Sequence, residues 1–230
     1  TQHYEILKYA DDVDERFYYI MECAKRFWTV EVLRNHLKND DFHRIGTMPN
    51  NFALTMPDAS QAARAVMAFK DELLLDFINI EEETDDECID ERVLQREIVR
   101  NVKKFIQALG TDFSFVADGF RLVEAGEEFY VDLLFYHRTL RRLVAIELKR
   151  GRFKASYIGQ LNLYLSLLDK YERREGEEPS VGIILCRDAK RSIVELSLRD
   201  VSKPMGIVTY RLGDDIPAEL QPLVPIMEAA

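Results

Sequence analysis

The sequence predicts an α/β protein: a mixed β-sheet with helices packed on it, preceded by a small all-helical region. Three observations predict it. Apolar residues recur at helical spacing from Glu91 to Gly110, three strand-like runs joined by short turns follow, and an acidic stretch at 81–90 separates this unit from a helical start. At 230 residues and 47% hydrophobic content, the chain can bury a sizeable core.

Residues 14–28, "DERFYYIMECAKRFW", read as an amphipathic helix, and Thr29 is placed to cap the next one, "VEVLRNHLK". Phe17, Tyr18, Phe27 and Trp28 are expected to pack these helices together. Residues 40–60 carry Gly46, Pro49 and Pro57 and read as a connector, with Asp58 or Ser60 opening a helix through residues 61–80. "EEETDDECID" (81–90) then marks a solvated boundary.

In the second unit, Leu94, Ile98, Val102, Phe105 and Leu109 share one helix face, and Gly110 supplies the C-cap. The strands "FSFVADGFRLV", "EEFYVDLLFYH" and "RLVAIELKR" follow, separated by "EAGE" and "RTLR". A helix comes next, "ASYIGQLNLYLSLLDKYERR", with Ile158, Leu161, Leu165 and Leu168 on one face. "VGIILC" reads as a buried strand and "SIVELSL" as a further one. The order is helix, three strands, helix, two strands, with a helical region at 1–62 and the α/β domain at 63–230.

No run approaches the roughly 18 apolar residues of a membrane helix, and the first residues have neither the basic start nor the apolar middle of a signal peptide. A cytoplasmic protein without membrane contact is expected. Because Thr1 stands where a methionine would, an upstream part is also expected. Cys23, Cys88 and Cys186 are odd in number and outside any CxxC pattern, and His3, His36, His43 and His137 lack ligand spacing. Neither a disulfide framework nor a histidine-based metal site is predicted.

The net charge of −10 argues at first against a nucleic-acid partner. Its distribution changes that. Residues 1–90 hold 9 Lys and Arg against 20 Asp and Glu, whereas residues 91–230 hold 22 against 21. Within 137–154, Arg138, Arg141, Arg142, Lys149, Arg150, Arg152 and Lys154 face a single acid, Glu147. This is either a basic stripe or a solvated hairpin.

Asp132 interrupts the apolar "FYVDLLFY", and Glu147 interrupts "LVAIELK" in the following strand. A hairpin of these runs brings the two carboxylates together, and Lys149, two residues on, points to the same face as Glu147. Two carboxylates at roughly 4 Å repel by about 4 kcal/mol at an effective dielectric of 20. A hard divalent cation such as Mg²⁺ offsets that, accepting one or two carboxylates together with water and phosphate oxygens. These parts suit phosphodiester hydrolysis: a metal to polarise the phosphate and an ammonium to hold water or the developing charge. The plain alternative is a set of sheet-edge ion pairs.

Asp132 followed by Glu147-Leu148-Lys149 resembles the PD-(D/E)xK nuclease superfamily, and Gln160 with Tyr164 in "QLNLY" resembles the QxxxY arrangement of its RecB-like branch. The wider text, "DLLFYHRTLRRLVAIELKRGRFKASYIGQLNLYLSLLD" with "PSVGIILC", "KDELLLDFINI" and "FIQALGTDFSFV", is similar to the YhcG-like family of bacterial nucleases over about residues 63–225. The segment before it is similar to the end of that family's N-terminal helical domain. The resemblance implies a restriction-endonuclease-like fold for 63–230. It makes Asp132 and Glu147 metal ligands, with the Leu148 carbonyl a candidate third, and Lys149 the catalytic lysine. Gln160 and Tyr164 would orient the lysine, the water or the phosphate. It also implies a glutamate where this chain has Gln95; Glu91, one turn earlier, or Glu97 could substitute, and Glu91 is taken as the metal-site candidate. Arg121, His137, Arg138, Arg150 and Arg152 are the candidate phosphate contacts.

The function predicted is therefore a Mg²⁺- or Mn²⁺-dependent nuclease acting on nucleic acid, DNA first, in a defence or mobile-element setting that the resemblance suggests. The N-terminal helices would recruit a protein partner or form a homodimer. The alternative, from another class, is a catalytically weak or inactive nuclease-fold module that binds nucleic acid or protein, consistent with Gln95.

Overall fold

Runs rich in Val, Leu, Phe and Tyr, joined by short turns, build β2 (Phe113–Glu124), β3 (Glu127–His137) and β4 (Arg142–Leu148) as an antiparallel meander, with β4 buried along its whole length. Ala125 (φ 52°) and Gly126 (φ 86°) both adopt left-handed backbone in the β2–β3 turn, as a tight two-residue hairpin requires. Beyond β4 the sheet changes character. The strands β5 (Val181–Cys186), β6 (Met205–Leu212) and β1 (Glu72–Leu75) run parallel to β4, giving the order β1-β6-β5-β4-β3-β2. The computed structural model describes residues 1–10, 13–26, 28–38, 42, 48–78, 87–110 and 112–212.

Parallel strands bury both faces, and two separate cores lie on this sheet. On one face, α6 (Glu87–Arg100) and α7 (Val102–Leu109) lay Leu94, Ile98, Phe105 and Leu109 against Val144, Ile146 and Leu148. On the other, α8 (Tyr157–Tyr171) and α9 (Arg191–Leu198) cover Ala145, Ile184, Cys186 and Ile207. Gly182 lets α8 approach β5 closely, since a Cβ there would meet the Leu161 side chain at 2.7 Å. That approach sets the height of the α8 side chains above β4.

A third cluster, Ile6, Ala10, Tyr19, Leu33 and Leu37, holds α1 (Gln2–Tyr9), α2 (Val13–Arg26) and α3 (Val30–Lys38) together. Thr29 accepts from the Val32 N–H at 3.2 Å, as its capping role predicts. Tyr18 and Trp28 pack on this cluster, but Phe17 is 62% exposed, contrary to expectation; Phe27 lies outside the described residues.

The α/β class and the mixed sheet hold, while several elements differ from the sequence expectation. "SIVELSL" is helical in α9: Val194 and Leu198, four apart, are buried, while Ile193 and Leu196 face solvent. The last strand is Met205–Leu212 instead. The helix capped by Asp58, whose side chain accepts from Ser60 N–H, is α5 (Ala59–Ala68); it stops at Phe69, and Glu72–Leu75 form β1 with Leu73 and Leu75 buried. The 91–110 helix breaks at Asn101, whose side chain donates to the Glu97 carbonyl. The Asn101 carbonyl accepts from Phe105 N–H to open α7, which ends with the Gly110 amide on the Ile106 carbonyl as predicted.

Residues 48–62, assigned by sequence to the helical region, pack with the sheet. Met48, Phe52, Met56 and Ala62 enter its core, and Asn51 donates to the Val201 and Lys203 carbonyls while accepting from Met205 N–H at 2.8 Å. Within this stretch lies the short helix α4 (Phe52–Thr55). Residues 43–47 of the expected connector and 81–86 of the acidic boundary lie outside the described residues.

Candidate active site

The β3–β4 register pairs Leu133 with Ile146, so Asp132 and Glu147 occupy the next opposed position, at the C-terminal end of β4 where the parallel half of the sheet begins. Glu147 shares the α8 face with Ala145 and is 2% exposed. The two carboxyl groups stand near enough for each to bear on the other's protonation, and Asp132 Oδ2 accepts from the Leu148 N–H at 2.8 Å.

Burial raises both carboxyls above their ordinary range. For Asp132 the Leu148 amide and Lys149 oppose the rise. For Glu147 burial comes first and the Asp132 charge second, and together they push it up to about 8 against the pull of Lys149.

Lys149 is buried, and its Nζ sits 3.4 Å from Glu147 Oε1 and 3.1 Å from Glu91 Oε2. Burial pulls this ammonium down, but the charges of Glu147, Glu91 and Asp132 outweigh it and hold Lys149 above its usual value. From α8, Gln160 Nε2 donates to the Tyr164 hydroxyl at 2.7 Å and reaches Glu147 Oε1 at 3.4 Å. The i, i+4 spacing of the QxxxY pair places both on one helix face. The Gln95 amide donates to the Asp132 backbone carbonyl at 2.7 Å, so it steadies β3 through the main chain.

Of the sequence-predicted residues, the fold brings together Asp132, Glu147, Lys149, Gln160, Tyr164 and Glu91. The predicted phosphate contacts scatter. Arg121 stands opposite Tyr130 on β2, held by Glu128 at 2.5 Å. Arg138 is exposed at the far end of β3. Arg152 pairs with Asp188 at 2.6 Å, and Arg150 follows β4 at the site's rim. His137 is corrected outright: it is 3% exposed, packs edge-on to Phe113 and accepts the Leu140 N–H on Nδ1, so no phosphate reaches it. Nor is 137–154 one continuous basic stripe, because Arg142 is fully buried against Gln61 and the Pro179 carbonyl. One residue escaped notice in the sequence. The Tyr157 ring lies 5.2 Å under Lys149 Nζ, and its place three residues before Gln160, on the same helix face, was the available signal.

Glu147 Oε2 is buried without a hydrogen-bond partner, beside a second carboxyl. An orphaned anionic oxygen in that setting fits a cation ligand. Among the described residues no group of three or more His, Cys, Asp or Glu gathers around a common point; Mg²⁺ accepts one or two carboxylates together with water.

The family model described as "YhcG PDDEXK nuclease domain" matches residues 66–225. The chain belongs to this family. It is 28% identical over 179 residues to the protein named "Putative nuclease YhcG" of Escherichia coli K12, covering 77% of this chain and 46% of that protein, so it spans about half the length of that relative. Among solved structures, an EndoMS complex with double-stranded DNA aligns at a TM-score of 0.35 and 17% identity, over 59% of this chain and 48% of that one. A repair endonuclease from Pyrococcus abyssi aligns at a TM-score of 0.34 and 17% identity, over 59% and 49%. Among the described residues, no helix is long and apolar enough to cross a membrane.

Proposed function

We propose that the chain is a divalent-metal-dependent nuclease that hydrolyses phosphodiester bonds, with DNA as the first substrate class. The observation that carries this reading is the facing pair Asp132 and Glu147, with a buried, unpartnered Glu147 oxygen and a lysine beside it. Asp132 and Glu147 would hold Mg²⁺ or Mn²⁺. When bound, such an ion polarises the phosphate and lowers the pKa of a water.

The remaining roles fall to side chains. Lys149, kept cationic by its acidic neighbours, donates to the attacking water or to the charge that grows on the phosphate oxygens. Glu91 anchors the lysine from α6, and Tyr157 supports it from α8. Gln160 fixes Glu147 Oε1 and leaves Oε2 as the ligand atom, while the Leu148 amide does the same for Asp132. Water attacks phosphorus and gives up one proton to solvent, the bond to the leaving oxygen breaks, and that oxygen takes a proton from solvent.

Gln95 favours a second reading, in which the domain binds nucleic acid or a protein partner without cutting, because an amide stands where the family resemblance calls for a carboxylate. A panel of single- and double-stranded DNA and RNA, incubated with Mg²⁺ or Mn²⁺, decides between them. The nuclease reading expects cleavage that K149A reduces by on the order of 10²–10³-fold with the fold intact. Absence of wild-type cleavage across the panel rejects it in favour of the binding module.

A further inference from the structure

The helices at the start of the chain carry an apolar surface that the candidate site does not use. One side of α2 is buried, with Tyr19 set into the cluster of Ile6, Leu33 and Leu37, yet its opposite side is apolar as well. Val13 (75% exposed), Phe17 (62% exposed), Ile20 and Ala24 are all exposed and recur at alternating four- and three-residue steps, so they form one stripe along the helix. Met21, also exposed, stands at its margin. Helices present this spacing to a second helix.

Where the stripe borders α1 lies a hollow of about 180 Å³, lined by Gln2, His3 and Ile6 of α1 and by Ile20, Cys23 and Ala24 of α2. Leu7, one turn beyond His3 on α1 and exposed, extends the apolar surface past it. The surface therefore has relief: its Val13 and Phe17 end stands proud, and its Ile20 and Ala24 end is recessed. An antiparallel second copy of α2 sets the proud half of each helix against the recessed half of the other. Val13 then lies opposite Ala24 and Phe17 opposite Ile20, and a two-fold axis midway makes each contact twice. Charge does not oppose such a pair, because residues 1–38 hold 6 Lys and Arg against 7 Asp and Glu, a net of −1, while the whole chain carries −10. Val13, Phe17, Ile20, Met21 and Leu7 together expose roughly 500 Å² per copy, short of the about 800 Å² that each partner brings to a standard interface, which suits a reversible dimer.

We propose that the α2 stripe and the hollow beside it form a self-complementary interface through which two copies of this chain pair about a two-fold axis, α2 antiparallel to α2. Phe17, whose sequence context calls for packing and which the single chain leaves exposed, packs on the second copy. The interface stands on the helical region alone, so it holds whether or not the sheet domain cuts nucleic acid.

Sedimentation velocity of the whole chain, over a series from about 1 to about 100 µM, reads the pairing. Wild type is expected to pass from the 26.8 kDa monomer to twice that mass within the series. F17E should raise the dimer dissociation constant on the order of 10³-fold, because every dimer loses two copies of a central side chain. Its melting should match wild type, since Phe17 is exposed in the single chain. V13E should act in the same direction and remains informative if F17E proves unstable. L196E, which charges an exposed leucine on α9 instead, should pair like wild type. A wild type that stays monomeric throughout overturns the interface and leaves the stripe to a different chain; F17E and V13E both pairing like wild type overturns it as well. Orientation is read by oxidation with Cys23 replaced by serine: V13C together with A24C should give a covalent dimer and V13C alone should not. A covalent dimer from V13C alone, or none from the pair, overturns the antiparallel arrangement.

Discussion

The two ends of the β3–β4 hairpin both bury charge, and they do so in opposite ways. At the turn end, Arg142 is sealed between the Pro179 carbonyl (3.0 Å) and Gln61 Oε1 (2.6 Å), with Glu178 and Asp169 nearby, and His137 accepts the Leu140 amide. Arg142 Nε and the Ser180 hydroxyl lack a partner there. At the other end, two carboxyls face each other, one of their oxygens is orphaned, and the lysine that balances them is shared with a third acid. The first arrangement pairs each charge with neutral acceptors or its opposite and holds loops to the sheet. The second concentrates like charge and is complete only with something added. Burial of charge therefore does not mark a site by itself; unresolved like charge does.

The largest effect expected is on chemistry at the second end. E147A and K149A should each lower cleavage by on the order of 10²–10³-fold while leaving melting close to wild type. A loss of fold in both would equate the two ends and break the contrast. At the turn end, R142A should cost about 3 kcal/mol, from two lost charge-assisted hydrogen bonds and the cavity left behind, read by denaturant unfolding. Cleavage at temperatures where R142A stays folded should be unchanged.

Protonation separates the ends next. The folded chain holds the Glu147 proton up to about pH 8, whereas an unfolded chain releases it near the ordinary value of 4.5. Without divalent cation, folded stability should thus fall as pH rises through that window, and E147Q should flatten the slope. Adding Mg²⁺ should restore stability most at the alkaline end, because the ion takes the place of the proton. Smaller still, Y164F removes the hydroxyl that accepts from Gln160, and its effect on cleavage should be about tenfold or less, on the order of 1 kcal/mol. R121A, which breaks only the exposed pair with Glu128, should leave melting unchanged.

Much of the site was legible because alternation in a strand is so regular: a carboxylate inside "FYVDLLFY" and another inside "LVAIELK" must meet once the strands pair. The QxxxY spacing was legible for the same kind of reason. Partners far apart in sequence were not. Nothing in "RGRF" shows that Asp188 claims Arg152, and nothing in "HRTLRR" shows that Gln61 and Pro179 enclose Arg142. Alternation also misled where a short segment satisfies both periods. "SIVELSL" fits a strand, yet Val194 and Leu198 meet the sheet as one helix face; "ELLL" continued a helix on paper but pairs with β6.

The β1–β6 pairing also bears on how the molecule comes into being. Glu72–Leu75 wait for partners at Thr209–Leu212, and Asn51 for Met205, so the sheet's parallel half cannot close until nearly all of the described chain has been made. The meander that bears Asp132 and Glu147 is local and can form early, while its flank against β5 and β6 stays open. A nascent chain on the ribosome therefore holds its two carboxylates well before the wall beside them exists, and that flank closes only once Met205–Leu212 has been made.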